Sequence, residues 1–196
     1  MIWTLVEKSL VLLTTSRKPA KNTRAFCRDL SNTFPDVVRI NRGKLSLEGV
    51  AEKALEREAQ KVIVVGEERG TVGKMQLFRI GENGLDAISP LVCVKGVKLR
   101  RDFEDNVSRE RKMKSVAIAA SKISSFEVKR LEDFLSEFFG IPVFPREEIH
   151  NKGIDAAMQI SADPLNHIII TFKLIPGLVE VGPQIRVSHL VWELSR

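Results

Sequence analysis

The sequence predicts an α/β fold of two structurally similar halves, each a mixed sheet with helices. Two observations predict it. Short apolar runs alternate with helical segments that are apolar on one side, and the opening strand–helix pattern recurs after residue 115. Strands that alternate with helices of this length indicate βαβ units and a mostly parallel sheet. With 196 residues and 43% apolar content, the chain can form one large core or two small linked ones.

The first half contains three predicted strands, two helices and a hairpin. Pro19 is well placed to open the first helix, and Ser46 is a natural N-cap for the second. The hairpin turns at the Gly-Glu-Asn-Gly segment, residues 81–84. The predicted strands are 10–14, 37–40, 62–65, 74–80 and 85–88, and the predicted helices are 19–33 and 47–58.

The second half repeats the opening after a charged connector. Residues 116–122 are predicted to form a strand that ends in Ser-Lys, and Ser124 with Glu127 predicts a capping box at the start of the next helix. Three strands are predicted to end the chain, at 167–174, 178–181 and 185–194, while 151–163 remains unassigned. We predict one domain over 1–196, with a basic half 1–97, the connector 98–114 and a near-neutral half 115–196.

A constant offset of 105 positions aligns the two halves without a gap. Six identities fall within about thirty positions, which favours two related strand–helix units. The matched residues are Val11, Ser16, Leu30, Ser31, Phe34 and Val38 with Val116, Ser121, Leu135, Ser136, Phe139 and Val143.

The positive charge of the chain lies in its first half. Residues 1–100 hold 18 basic and 11 acidic side chains, whereas residues 101–196 hold 13 and 14. The formal net charge is +6 and the pI is near 9.5. Such a balance indicates a nucleic acid or another polyanion as the partner.

The first predicted helix separates cations from apolar residues. Lys21, Arg24 and Arg28 share one face, while Phe26 and Leu30 project to the other. A solvated helix normally mixes both signs of charge, but residues 17–44 hold eight Lys or Arg against two Asp. A polyanion-binding face and an ordinary solvated face are both open interpretations, and the charge imbalance favours the first.

The candidate RNA-binding residues follow from this charge distribution. Ser16 and the amide groups of the first helical turn would hold one phosphate, and the cations would contact others. The set is Ser16, Arg17, Lys18, Lys21, Arg24, Arg28, Arg39, Arg42, Lys44, Arg69 and Lys74.

No catalytic, metal or cofactor motif is visible in the sequence. The segment 62–75 superficially suggests a phosphate-binding loop, but Glu68 and Met75 stand where that loop needs glycine and a hydroxyl residue. Its glycines instead predict a bent loop. The three histidines are isolated, and the phenylalanines do not follow the pattern of base-stacking RNA modules. The sequence therefore predicts a protein that is not an enzyme.

Two further features predict an intracellular location. Cys27 and Cys93 match no metal or redox spacing, and Cys27 is expected to be a core residue. The first residues lack the pattern of a signal peptide, and no run approaches membrane-spanning length.

Several separated motifs resemble the Brix-domain ribosome-biogenesis proteins. The opening of this family is resembled by two segments, Thr-Ser-Arg-Lys-Pro at 15–19 and Thr-Arg-Ala-Phe-Cys-Arg-Asp-Leu at 23–30. Asn-Arg-Gly-Lys at 41–44, Val-Val-Gly at 64–66 and Glu-Val-Gly-Pro at 180–183 continue the resemblance in the family's order. The opening and the Asn-Arg-Gly-Lys motif at 41–44 are most similar to the branch of the family that acts on the small-subunit rRNA precursor. Eukaryotic members often carry charged extensions that are not seen in this sequence, so the chain resembles a minimal, archaeal member.

This resemblance implies a fold and a function. Each half would resemble the anticodon-binding domain of class II aminoacyl-tRNA synthetases. The protein would bind ribosomal RNA or its precursor during rRNA processing, without catalysis, together with other ribosome-assembly proteins. A cytoplasmic location follows for an archaeal member and a nucleolar one for a eukaryotic member, with no membrane and no small-molecule substrate. The matched positions are Ser16, Arg17, Lys18, Pro19, Arg24, Arg28, Asn41, Arg42, Gly43, Lys44, Gly182 and Pro183, whereas Gln184 stands where many members have a basic residue.

Two other functions remain open at this point. A tRNA-binding module of the anticodon-domain type would prefer tRNA to ribosomal RNA. An adaptor for an acidic protein surface would bind its partner without any RNA.

Overall fold

The chain folds around one mixed β-sheet. The computed structural model describes residues 10–104, 111–121 and 124–193. Within these residues it has ten strands, three α-helices and two single-turn 3-10 helices, Arg100–Asp102 and Ile149–Asn151. The elements are β1 Val11–Thr15, α1 Lys21–Thr33, β2 Val37–Arg39, α2 Leu47–Leu55, β3 Lys61–Glu68, β4 Thr71–Gly81, β5 Gly84–Lys98, β6 Val116–Ala120, α3 Phe126–Phe139, β7 Val143–Pro145, β8 Ala156–Ala162, β9 Ile168–Leu174 and β10 Gln184–Val191.

The strand order is β2-β1-β3-β4-β5-β10-β9-β8-β6-β7. Strand β1 is parallel to β2 and β3, and β6 is parallel to β7 and β8. The strands between them are antiparallel, and the antiparallel pairing of β5 with β10 joins the first seven elements to the rest. All ten strands therefore share one continuous hydrogen-bonded sheet.

Helices α1 and α3 cover the same face of the sheet. The buried residues of α1, Phe26 and Leu30 among them, belong to one apolar cluster with Leu131, Phe138 and Phe172 of the second half. Helix α2 packs on the opposite face, where Val50 and Ala54 contact a separate cluster around Leu12 and Val62. Strand alternation explains this, because successive side chains of β1 point to opposite faces.

An aromatic cluster joins the two helices of the shared face. The Phe34 ring, at the C-terminus of α1, stacks on Phe139 with 4.1 Å between ring centroids. It also meets the edge of Phe172 in β9 at 5.4 Å. These contacts fix the end of α1 against the second half.

The side chain of Lys61, in β3, caps the C-terminus of α3. Its Nζ donates to the carbonyl oxygens of Phe138 at 2.8 Å and Glu137 at 3.1 Å. A cation at this end satisfies carbonyls that have no partner within the helix and favourably meets the helix dipole. Arg79 adds an ion pair to Glu137 at 2.7 Å. Burial lowers the pKa of Lys61, as the nearby charge of Arg79 also does.

Both helices of the first half differ from their predicted limits. Helix α1 begins at Lys21, not at Pro19, because Ala20 is its N-cap and Pro19 precedes the cap. Helix α2 ends at Leu55, not at residue 58. The backbone turns there, since Glu58 has a positive φ of 57° and the Ala59 N–H donates to the Ala54 carbonyl at 2.9 Å.

The predicted bent loop at 66–73 is instead a tight hairpin. Strand β3 continues through Glu68 and β4 begins at Thr71, so only Arg69 and Gly70 turn, both with positive φ. Two-residue turns with both central φ values positive match the twist of a hairpin. Gly73 lies inside β4, where a Cβ would come within 2.5 Å of the Glu68 Cβ. The glycines therefore serve strand packing as well as the turn.

Strand β5 is much longer than the predicted 85–88. It continues through Pro90, where the pairing with β4 jumps from Leu77–Ile88 to Met75–Val92. This irregularity accommodates the missing N–H of proline, which a regular ladder could not. The hairpin turn between β4 and β5 at Gly81–Gly84 is confirmed.

The second half differs from prediction at several places. Strand β6 ends at Ala120, before Ser121, and the predicted strand end at 122 lies outside the described residues. Ser125 caps α3 by accepting from the Val128 N–H, while Ser124 donates to the Ser121 carbonyl. The predicted box from Ser124 to Glu127 is therefore wrong by one residue. The unassigned region contains β8, and residues 178–181 form only one isolated bridge, Lys173 with Glu180. The connector residues 105–110 and the predicted strand end at 194 lie outside the described residues.

Replacing Phe26 by alanine should strongly destabilise the fold. Its side chain is 0% exposed, and such a cavity costs about 3–5 kcal/mol. Urea unfolding measures the effect. Phe126, 82% exposed at the start of α3, is the matched control, and Phe126→Ala should change the unfolding free energy by less than about 0.5 kcal/mol. Equal effects of the two substitutions would refute the assignment of the buried face.

Candidate nucleic-acid interface

Three loops meet at one edge of the sheet. The parallel strands β1, β2 and β3 all end there, so the loops that follow them lie side by side. In open α/β sheets this carboxyl edge is where ligands usually bind. The exposed side chains that these loops carry include Arg17, Lys18, Lys44 and Arg69.

Helix α1 leads from this edge with its cations exposed. Lys21, Arg24 and Arg28 are exposed, whereas Phe26 and Leu30 on the other side are buried. A hollow of about 380 Å³ lies beside the helix, lined by those three cations, Ala25, Arg39 and Arg101. The predicted two-sided character of this helix is therefore confirmed.

A second hollow extends the first along α1. Its volume is about 420 Å³, and its lining shares Arg28 and Arg39 with the first and adds Lys112. Among the described residues that line either hollow, none is acidic. We call this continuous surface the basic groove, defined by Lys21, Arg24, Arg28, Arg39, Arg101 and Lys112.

The connector is folded against α1 where it is described. The Arg100 N–H donates to Asp29 Oδ2 at 2.9 Å, and the Met113 N–H donates to the Asn32 carbonyl at 2.9 Å. Arg100 itself is buried and donates to the Arg111 carbonyl at 3.0 Å. Two anchored ends thus place the connector cations beside the helix.

Sequence analysis missed Arg101 and Lys112 as groove residues. Arg101 donates to Asn22 Oδ1 at 2.8 Å, across 79 positions of sequence. The signal in the sequence was Asp29, which lies one helical turn from Phe26 on the apolar side of α1, where an acid needs a partner from elsewhere. That partner is the backbone N–H of Arg100, next to Arg101.

A carboxylate of the protein itself occupies the N-terminus of α1. Glu67 Oε1 accepts from the Ala20 N–H at 2.5 Å and from the Thr23 hydroxyl. The Ser16 N–H donates to the Val65 carbonyl at 2.8 Å, so it belongs to the sheet. Glu67 thus already supplies the anion that a helix N-terminus favours, and it would compete with the phosphate predicted to bind at Ser16 and the first turn.

Arg42 is a buried residue and is not part of the exposed cationic surface. Its side chain turns inward, and its Nε donates to the Leu45 carbonyl at 2.7 Å, which holds the loop before α2. Burial lowers the pKa of Arg42, and the neighbouring charge of Arg17 lowers it further. The structure therefore corrects Arg42 from a surface contact to a residue that positions the loop carrying Lys44.

Lys74 lies on the opposite face of the sheet from α1. Val65 belongs to the α1 side, so Gly66 and its strand partner Lys74 point the other way. The methylenes of Lys74 cover Gly66, where a Cβ would come within 2.8 Å of them. The structure brings Arg17, Lys18, Lys44 and Arg69 to one edge but separates Lys74 from the basic groove.

Cys27 is a core residue, as predicted. Its side chain is 0% exposed, and burial raises the pKa of the thiol to about 12, although Arg39 opposes this. Over the described ranges, no three side chains among His, Cys, Asp and Glu gather as metal ligands would. None of the described helices has the length and apolar character needed to cross a membrane.

Replacing Glu67 by glutamine should weaken the start of α1. Hydrogen bonds to a charged acceptor are stronger than those to a neutral one, so we expect a loss of about 1 kcal/mol of unfolding free energy. Chemical denaturation measures it. Glu68→Gln is the matched control because Glu68 is exposed in the next position. A Glu67→Gln protein as stable as this control would contradict the capping role.

No family model matches the chain, but curated proteins named probable Brix domain-containing ribosomal biogenesis protein do. The one from Aeropyrum pernix is 41% identical over 91 residues, 46% of this chain and 50% of that relative. The one from Pyrobaculum aerophilum is 31% identical over 133 residues, 68% and 70% of the two chains. The one from Methanopyrus kandleri is 28% identical over 169 residues, 82% and 84% of the two chains.

Two solved structures share the fold. A probable ribosomal biogenesis protein from Aeropyrum pernix K1 has a TM-score of 0.76 and 29% identity, covering 93% of this chain and 99% of its own. An archaeal Imp4-like protein has a TM-score of 0.65 and 21% identity, covering 91% and 97%. At 21% identity the second likeness concerns the fold alone. The similarity over most of the Pyrobaculum protein establishes that this chain belongs to the Brix domain-containing ribosomal biogenesis protein family.

Proposed function

We propose that the protein is a non-catalytic RNA-binding factor in ribosome biogenesis that binds ribosomal RNA or its precursor through the basic groove. The continuity of the groove carries this proposal. Six cations from a helix, a strand and the connector line two hollows that share Arg28 and Arg39. The relatives are named as ribosomal biogenesis proteins, which supports ribosomal RNA as the polyanion.

The groove suits a phosphate backbone. Exposed Arg and Lys side chains along α1 would each contact a phosphate and release condensed counterions, which favours binding at low salt. Such contacts position an RNA without reading its sequence. Specificity would then come from RNA shape or from other assembly proteins, which we propose as further partners.

The sheet edge would extend the RNA track beyond α1. Arg17, Lys18, Lys44 and Arg69 are exposed there and continue the positive surface past the start of the helix. Ser16 is half-buried beside them. Glu67 keeps phosphate away from the α1 N-terminus itself, so the track would pass along the groove and around this carboxylate.

We further propose that the domain contains two related halves, each resembling the anticodon-binding domain of class II aminoacyl-tRNA synthetases. The strand order supports this, because β2-β1-β3-β4-β5 is followed by β10-β9-β8-β6-β7, the same arrangement in reverse. The strand register supports it too. Val11 and Val116 are matched by the offset of 105, and each begins a parallel pairing with the corresponding strand of its half, Val11 with Lys61 in β3 and Val116 with Ala156 in β8. Under this proposal the halves are 1–97 and 115–196, within one Brix-like domain.

We also propose that the protein belongs to the branch that acts on the small-subunit precursor, which the motifs at 15–19 and 41–44 resemble. We further propose a cytoplasmic location, which the resemblance to an archaeal member implies. The near-neutral half 115–196 would contact fewer RNA phosphates than the half that carries the groove. A tRNA-binding module and an adaptor for an acidic protein become outcomes of the experiment below.

Reversing two groove charges should weaken RNA binding while the fold is kept. For Lys21→Glu/Arg24→Glu, binding to ribosomal RNA fragments and to tRNA is measured across a salt series. Each single-strand phosphate contact adds about −0.7 to the slope of log K against log salt, so losing two should flatten it by about 1.4. Both residues are exposed, so each change should alter stability by less than about 0.5 kcal/mol.

The matched control is Lys53→Glu/Arg57→Glu, which changes the net charge equally. Lys53 lies in α2, on the opposite face of the sheet, and Arg57 lies in the turn that follows this helix. It should leave the slope unchanged. Equal weakening by both double variants would show that net charge, rather than the groove, drives binding. Preference for tRNA would favour the tRNA-binding module, and shallow binding to every RNA would favour the protein adaptor.

Glu67→Gln should strengthen RNA binding although it weakens the fold. Removing one negative charge from among the edge cations reduces repulsion of the backbone, and at surface dielectric we expect about a threefold gain in affinity. The same salt series measures it, with Glu68→Gln as control. A loss of affinity would mean that Glu67 acts mainly by holding α1 in place for RNA.

A further inference from the structure

The cations of the basic groove lie on a ridge with a flank on each side. At 100° per residue, Lys21, Arg24 and Arg28 fall within about 60° of the circumference of α1 and cover about 10 Å of its axis. All three are exposed. This row is the ridge.

Arg39 and Arg101 lie on opposite flanks of that ridge. Arg39 ends β2 and lines the second hollow with Ser31, which projects within about 40° of Cys27 on α1. Arg101 donates to Asn22 Oδ1 at 2.8 Å. Around the helix axis Asn22 lies about 100° to one side of Lys21 and Cys27 about 120° to the other, so the ridge lies between them on the outward arc of about 220°. Both arginines nevertheless line the same hollow with the ridge cations.

We propose that the basic groove recognises double-helical RNA, with the α1 ridge facing the minor groove and Arg39 and Arg101 contacting phosphates of the two opposite strands. This inference rests on the proposed RNA-binding function and names the class of RNA. The minor groove of A-form RNA is wide and shallow, and it is recognised by shape, 2′-hydroxyls and the phosphates on either side. A single strand offers only one phosphate row, which leaves one flank without a contact.

The aromatic ring in the groove lining points to the same class of RNA. Phe34 lines the second hollow, yet it is 3% exposed and stacks on Phe139 at 4.1 Å. Its ring is held in the protein core and is not presented to a base. Proteins that hold single strands gain about 1–3 kcal/mol per base from stacking on such rings, whereas the bases of a duplex stack on one another.

The test compares two RNAs with the full chain. One probe is an RNA hairpin with about 20 base pairs, longer than the span of known duplex-binding modules; the other is oligouridylate with the same number of phosphates. Affinities are measured across a salt series for the wild type, Arg39→Gln, Arg101→Gln and the control Arg57→Gln, which lies in the turn after α2. Circular dichroism during heating verifies that each variant is folded.

We expect the hairpin to bind about tenfold more tightly than oligouridylate at equal salt, and each flank variant to flatten the hairpin slope by about 0.9. For oligouridylate, only one of the two flank variants should flatten the slope, by about 0.7. Equal or tighter binding of oligouridylate, or equal loss from both flank variants on both probes, would overturn the duplex assignment. If Lys21→Glu/Arg24→Glu changed neither probe, the proposed RNA-binding function itself would fail.

Discussion

The stacking of Phe34 on Phe139 is the contact on which the arrangement of the helices depends. It joins the C-terminus of α1 to the last residue of α3, and the Phe172 edge contact ties both to β9. Because one end of α1 is fixed there and the other is fixed by Glu67, the rotation of the helix about its axis is determined. The exposed face of α1 is therefore defined by buried residues, and the cations occupy the face that remains.

The groove concentrates like charges, which is unfavourable for the isolated protein. Arg24, Arg28 and Arg39 line one hollow without an acidic side chain among the described residues beside them. The fold keeps its own acids at positions where they hold elements together: Glu67 at the start of α1, and Asp29 beneath the connector. A polyanion would relieve the remaining repulsion, which is a physical reason for binding that does not depend on base sequence.

Much of this architecture could be predicted from sequence, because apolar periodicity locates β1, α1, β2 and β3 and separates the two faces of α1. The failures share a cause. The burial of Arg42, the approach of Glu67 to α1 and the placement of Arg101 depend on contacts between segments distant in sequence. Local patterns could not reveal them. The predicted strand 85–88 stops before Pro90, whereas β5 continues through this proline because its pairing with β4 is irregular there.

The two outermost strands of the sheet are its shortest. Strands β2 and β7 have three residues each, and β7 ends in Pro145, which has no N–H to donate. An edge strand is a template on which another chain can form a strand, and short edges that contain proline offer few groups for this. A ten-stranded sheet would otherwise present long edges at both ends. The short strands at both ends of the sheet therefore protect the protein against unintended strand pairing and aggregation.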